Sequence, residues 1–119
     1  MIDHLELRTH AVADALRFYA DLLGPLGYRL KVNGPAKGFG TDTSLDFFLT
    51  EGDPSANIHF AFAAPDRATV DRIYALAEER GHRLDRAPAL APHIHAHYYA
   101  GYLRDPDGHL VEFVCQRPE

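Results

Sequence analysis

The chain consists of two related halves, and this internal repeat constrains its fold more than any other feature. The segment His4-Leu5-Glu6-Leu7 in the first half corresponds to His59-Phe60-Ala61-Phe62 in the second. Further matches follow in the same order, pairing Phe18-Tyr19 with Ile73-Tyr74, Gly27-Tyr28-Arg29-Leu30 with Gly81-His82-Arg83-Leu84, and Asp46-Phe47 with Glu112-Phe113. Neither half can bury its own sheet face and helix alone, so we expect the two halves to pack together.

Each half has the pattern strand, helix, strand, strand, strand. Residues 2–8 alternate between apolar and polar and predict a strand, and apolar residues at helical spacing over 12–26 predict an amphipathic helix. In the second half a strand is predicted over 57–63, and Asp66 is a good N-cap for the next helix. Further strands are predicted over 28–32, near Phe39, and over 44–50, 82–86, 97–104 and 109–115, with a loop at 87–96 and a tight turn at Asp105-Pro106-Asp107-Gly108.

These elements predict an α+β fold in a single domain spanning residues 1–119. Two βαβββ modules, module one over 1–52 and module two over 57–116, pair into a cupped, partly closed mixed sheet.

Composition excludes several classes of protein. The chain carries 12 Lys and Arg against 17 Asp and Glu, a net charge of −5, which argues against binding to nucleic acid or an anionic membrane. No apolar run approaches the roughly 20 residues needed to cross a bilayer. Cys115 is the one cysteine, which excludes an internal disulfide and predicts buried packing. The N-terminal segment carries no signal pattern, so we expect a cytoplasmic protein.

Three polar residues lie on strand faces that point away from the helices. Side chains alternate along a strand, so His4, His59 and Glu112 all leave the apolar face. If the two sheets curl together, these residues converge as a facial triad suited to zinc, iron, manganese, nickel or cobalt, with coordination positions left open for a substrate. The alternative is that they are ordinary polar residues on a solvated face. The matched positions of the two histidines favour the metal site.

Other polar residues are candidates for contacts with a substrate. Asp46 matches Glu112 in the repeat and is either a further ligand or an exposed polar residue. A tyrosine near a polarising metal can bind a substrate oxygen or move a proton, and Tyr98 and Tyr102 share one strand face whereas Tyr99 takes the other. For His93, His95 and His97 we favour a substrate-facing loop over a second metal site. The predicted catalytic residues are Glu112 and Tyr99, and the predicted substrate-binding residues are Asp46, His97, Tyr98 and Tyr102.

The chain resembles the vicinal oxygen chelate superfamily, which contains glyoxalase I, bleomycin-resistance proteins, fosfomycin-resistance enzymes and extradiol dioxygenases. The resemblance is carried by Ile2-Asp3-His4, by Phe18-Tyr19 through Tyr28, by residues 57–62, and by Tyr98 through Glu112, where His109 replaces the usual Asn. It implies a glyoxalase-like fold, metal ligands at His4, His59 and Glu112, and one divalent ion (Zn, Ni, Mn or Fe) per site. It also implies a small-molecule substrate and a homodimer whose sites often combine modules of both chains. Glyoxalase I usually adds a Glu or Gln ligand, for which the nearest candidate is the shorter Asp46.

Three functions are compatible with these sequence features. The first is a glyoxalase-like metalloenzyme that chelates vicinal oxygens of a small substrate, with lyase, isomerase, transferase or dioxygenase chemistry left open. The second is a metal-free protein of the bleomycin-resistance type that sequesters a ligand, for which the acidic charge and residues such as Phe47 would suit a planar cation. The third is a regulatory or structural dimer with a vestigial site.

Overall fold

The computed structural model describes residues 1–119 and contains eight strands, two α-helices and one short 3-10 helix. In chain order these are β1 (Leu5–Thr9), α1 (Val12–Leu23), the 3-10 helix (Gly24–Leu26), β2 (Arg29–Asn33), β3 (Lys37–Gly40), β4 (Phe47–Glu51), β5 (His59–Ala63), α2 (Arg67–Glu79), β6 (Arg83–Leu90), β7 (Tyr99–Arg104) and β8 (Leu110–Cys115).

The eight strands form two separate mixed sheets, one from each half of the chain. The first has the order β1-β4-β3-β2 and the second the order β5-β8-β7-β6. In each sheet the first strand of the module runs parallel to the last, and the other neighbours are antiparallel. The predicted α+β fold of two βαβββ modules is therefore confirmed, and the sheets do not close into a barrel.

The two modules share one apolar core, as the repeat predicts. Helix α1 buries its apolar stripe against the first sheet, and the ring of Phe47 on β4 stacks on Phe60 of β5 at a centroid distance of 5.9 Å. Members of both modules are fully buried in this cluster, including Phe18, Tyr19, Phe47, Ile73, Leu103 and Phe113. Removing this apolar surface from water is the main force that holds the modules together. Neither helix is both long and apolar enough to cross a membrane.

Polar contacts tie the same two modules together. The hydroxyl group of Tyr19 on α1 donates to Oδ2 of Asp105 at 2.6 Å, and both side chains are buried. Burial, and then the charge of Asp105, raises the pKa of Tyr19 well above its usual value. Asp21 accepts from Arg80 at 2.8 Å and pairs with His82 at 3.0 Å. These contacts fix α1 against the second module.

Strand β6 is longer than the sequence predicts. It continues to Leu90 through Pro88, whereas the predicted strand ends at Arg86 and gives way to a loop. Pro88 lies between Arg86 and Ala89, where the register of this edge strand against β7 shifts, and an irregular edge strand is a position that tolerates proline. Shifts in register on both sides of Arg86 absorb the irregularity. The loop between β6 and β7 is correspondingly shorter and spans residues 91–98.

Candidate metal and substrate site

Glu112 is the centre of the candidate site. The register of the second sheet places it beside Ala61 of β5 and Tyr102 of β7. Its neighbours Val111 and Phe113 are buried in the core, so the Glu112 side chain leaves on the opposite face. It is nevertheless only 3% exposed, because other side chains on that face cover it.

Both carboxylate oxygens of Glu112 have a partner. Nε2 of His59 lies 2.8 Å from Oε1, and the hydroxyl of Tyr98 donates to Oε2. His59 is half-exposed, and its ring lies 6.1 Å from that of Tyr102. An imidazole nitrogen beside a carboxylate oxygen is a donor set that suits Zn, Ni, Mn or Fe. The structure therefore brings together two of the three predicted ligands.

His4 lies apart from this pair. It comes immediately before β1, where its ring meets Phe48 edge-on at 5.6 Å and its Nδ1 lies 2.7 Å from Asp3. The ligand atoms of His4, His59 and Glu112 do not all lie within 4.8 Å of one another in one chain. His4 and His59 do line the same cleft, of about 530 Å³, which runs along the first strands of both modules.

The sheet register changes the predicted equivalence of Asp46. Glu6 of β1 pairs with Phe48, and the matching residue of β5, Ala61, pairs with Glu112. The counterpart of Glu112 in module one is therefore Phe48, two residues beyond Asp46. Matching Asp46 with Glu112 was wrong because similarity of short segments does not fix register, and a shift of two residues preserves the face of a strand.

Asp46 instead forms a contact within its own module. Its Oδ2 accepts from the hydroxyl of Tyr28 at 3.1 Å, while its Oδ1 is buried without a hydrogen-bond partner. Burial, and then this hydrogen bond, raises the pKa of Tyr28 to about 12. Asp46 and Tyr28 both line the cleft that contains His4 and His59. Asp46 thus lies on the wall of the same cleft as two of the predicted metal ligands.

The three tyrosines near β7 divide between the two faces of the sheet. Tyr98 and Tyr102 pack on the face of Glu112, whereas Tyr99 packs against the side that faces α2. Burial, and then the hydrogen bond to Glu112, raises the pKa of Tyr98. The hydroxyl of Tyr99 donates to Asp71 of α2 at 2.5 Å. The structure therefore brings Tyr98 to Glu112 and does not bring Tyr99 there.

The histidines after β6 form a compact loop. Ala91 N donates to Tyr98 O at 2.8 Å and closes the loop, and the rings of His95 and His97 lie 6.1 Å apart. His93 and His95 are exposed and His97 is half-buried. These three histidines do not form a cluster with the spacing of metal ligands.

A different group has ligand atoms within 4.8 Å of one another: Asp105, Asp107 and His109. Its hydrogen bonds identify it as part of the predicted tight turn. Oδ1 of Asp105 accepts from the backbone N–H groups of Asp107 and His109, each at 3.0 Å. Oδ2 lies 2.7 Å from Nδ1 of His109 and accepts from Tyr19. The carboxylate of Asp105 is thus fully used within the fold, a role that the turn motif alone does not reveal.

Comparisons with known proteins agree on one family. The sequence model of the Glyoxalase/Bleomycin resistance protein/Dioxygenase superfamily matches residues 1–113. An uncharacterized protein of Pseudomonas aeruginosa is 31% identical, over 98% of this chain and 89% of its own. A glyoxalase/bleomycin resistance protein from Albidiferax ferrireducens superposes with a TM-score of 0.82 at 24% identity, covering 99% of both chains. A lactoylglutathione lyase from Agrobacterium tumefaciens gives 0.70 at 25% identity, covering 97% of this chain and 92% of its own. The chain belongs to the glyoxalase/bleomycin resistance protein/dioxygenase superfamily.

Proposed function

We propose that this protein is a metal-dependent, glyoxalase-like enzyme that holds adjacent oxygens of a small substrate. The observation that carries the proposal is the contact between His59 and Glu112, 2.8 Å from nitrogen to oxygen, on a buried carboxylate. A buried carboxylate needs polar partners, and His59 and Tyr98 supply one to each oxygen of Glu112, which fixes the direction in which the carboxylate can present a lone pair. The lactoylglutathione lyase among the similar structures is also consistent with an enzyme.

The ligands in this proposal are His4, His59 and Glu112. A divalent ion held there supplies a Lewis acid that polarises substrate oxygens. Tyr98 holds the second oxygen of Glu112 and so orients the carboxylate toward His59. Tyr102 lies directly across from Glu112 and presents a phenol to the same space. Burial is the main cause that raises the pKa of Tyr102, which keeps the phenol protonated and able to donate to a substrate oxygen.

We further propose a homodimer in which His4 completes the site of the partner chain. Within one chain His4 does not cluster with His59 and Glu112, and the strands that begin the modules, β1 and β5, both lie at sheet edges. Unpaired strand edges beside an apolar cleft favour association. A second copy could therefore place its β1 and its His4 beside β5.

Metal binding and complementation test this proposal together. Purified protein should bind Zn²⁺, Ni²⁺, Mn²⁺ or Fe²⁺, and its stability should rise with the logarithm of the free metal concentration above the Kd. His4→Ala and His59→Ala should each weaken metal affinity by more than about tenfold, since even residues behind the ligands contribute 10–100-fold. If the site is shared, mixing the two inactive variants should restore one intact site in each heterodimer. This site combines His4 from one chain with His59 and Glu112 from the other.

The control for the mixing experiment is His93→Ala, which alters an exposed histidine outside the ligand set and should leave metal affinity unchanged. Failure of the mixed variants to regain metal binding, while each single variant is defective, would contradict the shared site but not the enzyme. Unchanged metal affinity in both His59→Ala and Glu112→Gln would contradict the metalloenzyme itself.

One observation favours a second candidate, a metal-free ligand-sequestering protein. The cleft of about 530 Å³ is lined by several apolar and aromatic side chains, among them Tyr28, Phe47, Phe60 and Phe62. A cavity of this size and lining suits a planar organic ligand. This function requires that ligand affinity survive both chelator treatment and the His59→Ala substitution, whereas the metalloenzyme requires that it be lost.

A further inference from the structure

A second concave surface adjoins Glu112 on the open face of module two. It is a pocket of about 160 Å³ between β6, β7 and the loop that joins them. Its walls are mostly small or apolar, and they include Ala89, Leu90, Ile94, Ala100 and Tyr102. Ala89 lies in register with Ala100 on the neighbouring strand, so their two methyl groups lie side by side on one wall of the pocket. Because an enclosed cavity of about 150 Å³ holds one benzene ring, one six-membered ring is about the largest group that this open pocket can cover.

Arg86 supplies the positive charge of this pocket. Its guanidinium carbon lies 3.9 Å from the centroid of the Tyr102 ring, and the two residues pair across the register of β6 and β7. Its nearest acidic partner is Asp85, at 3.5 Å, and this carboxylate also binds Arg104 at 3.0 Å. Asp85 thus binds Arg104 more closely than Arg86, and the Arg86 side chain is 63% exposed, so its guanidinium remains accessible to an anion. This is notable on a chain with a net charge of −5.

Tyr102 connects the pocket to the candidate metal site. The same ring lines the pocket, carries Arg86, and lies across from Glu112 in the sheet. Its centroid is also 6.1 Å from the ring of His59. The groups on the open face therefore follow one another in a fixed order. His59 and Glu112 come first, Tyr102 is next, and Arg86 lies last, beside the apolar pocket.

We propose that this pocket binds a small organic acid, with its compact apolar group packed against Ala89 and Ala100 and its oxyanion on Arg86. The oxyanion is a carboxylate or a phosphonate, since a planar guanidinium binds either through paired hydrogen bonds. The inference names the substrate class of the site proposed above and rests on that proposal for its connection to catalysis. The binding itself depends on Arg86 and the apolar walls, and therefore does not require a metal.

The test uses the whole chain of residues 1–119, stripped of metal by a chelator, and four probes at low ionic strength. Benzoate, phenylphosphonate and cyclohexanecarboxylate carry the charge, and benzamide is the neutral match of benzoate. Calorimetry should give benzoate at least about tenfold higher affinity than benzamide, the value of one charge-assisted contact at a partly exposed site. Amide resonances of Leu90, Ile94 and Ala100 should shift on titration. The tighter of benzoate and phenylphosphonate identifies the oxyanion.

Three variants separate charge from shape. Arg86→Met should lower the affinity for benzoate about tenfold and remove its preference over benzamide. Arg83→Met is the matched control, because Arg83 lies on the same strand but lines a different, polar pocket, and should keep the preference. Ala89→Phe fills the pocket at an exposed position where folding tolerates it, and should weaken all four probes.

Equal affinity for benzoate and benzamide, an unchanged preference in Arg86→Met, or no binding of any probe would each overturn the inference. None of these results bears on metal affinity. Conversely, if the variants of His59 and Glu112 contradict the metalloenzyme, the result for benzoate still stands. The two failures are therefore distinguishable.

Discussion

Tyr98 and Tyr99 are adjacent in sequence, yet their hydroxyl groups bind carboxylates on opposite faces of the second sheet. Tyr98 donates to Glu112 on the open face, and Tyr99 donates to Asp71 of α2. The hydrogen bond to Asp71, with burial, raises the pKa of Tyr99 to about 12. Only the first of these hydroxyl groups contacts Glu112, the residue that we propose as a metal ligand.

The two phenols should therefore respond differently to removal of the hydroxyl. Tyr98→Phe takes one donor from a buried carboxylate and should lower the free energy of unfolding by about 1–2 kcal/mol. It should also weaken metal affinity about tenfold, because Glu112 loses its orienting contact. Tyr99→Phe removes a contact near the surface and should change metal affinity less than about twofold. Metal titrations and urea denaturation of both variants check this. Equal losses of metal affinity would show that Tyr98 does not support Glu112.

Asp46 should not behave as a metal ligand. Its carboxylate binds Tyr28, and Phe48 occupies the position that matches Glu112. We expect Asp46→Asn to leave metal affinity within about twofold of the unsubstituted protein, whereas Glu112→Gln lowers it by more than about tenfold. Direct metal titration of both variants makes the comparison. A similar loss in the two variants would place Asp46 among the ligands.

Alkaline pH should weaken the contact between the modules. A phenol ionises near pH 10 in an unfolded chain, and burial raises the pKa of Tyr19 above that value in the native protein. Above about pH 10 the unfolded chain has therefore lost a proton that the native chain retains, so stability falls as pH rises, by up to about 1.4 kcal/mol per pH unit for this group. Below about pH 10 its contribution is fully present.

Tyr19→Phe isolates this effect. The variant should lose about 1–2 kcal/mol at neutral pH, because Asp105 keeps one donor fewer. Its free energy of unfolding should then fall less steeply between about pH 10 and about pH 11 than that of the unsubstituted protein. Urea denaturation across this range gives both slopes. Parallel slopes would mean that the decrease in the free energy of unfolding at alkaline pH arises from other tyrosines, such as Tyr28.

Gly40 should be intolerant of any side chain. A Cβ atom there would lie 2.0 Å from the backbone oxygen of Ser44, in the loop that leads into β4. Gly40→Ala should therefore lower the free energy of unfolding by about 3 kcal/mol, because backbone must move. Gly34→Ala is the control, since its nearest contact is 4.0 Å away, and it should change stability by less than about 0.5 kcal/mol. Thermal denaturation of both variants provides the measurement.

The fold was predictable because its signals are local and repeated. Alternation around Phe60 and Phe62, the N-cap at Asp66 and the turn at Asp105 each depend on residues a few positions apart. Asp66, for example, accepts from Thr69 N at 2.7 Å as a capping residue should. Boundaries were less accurate, because packing and edge position decide where a strand such as β6 ends.

The sequence by itself determined the two modules, the face of each strand that is apolar, and the residue types able to hold a metal. Only the tertiary structure decided that Glu112 contacts His59 and Tyr98. It also decided that Phe48 occupies the position of module one that is equivalent to Glu112, and that Arg86 lies over the ring of Tyr102. The physical reason is that alternation reveals which face a side chain takes but not its register with the next strand. Contacts between strands far apart in sequence depend on that register and on how the two sheets are packed.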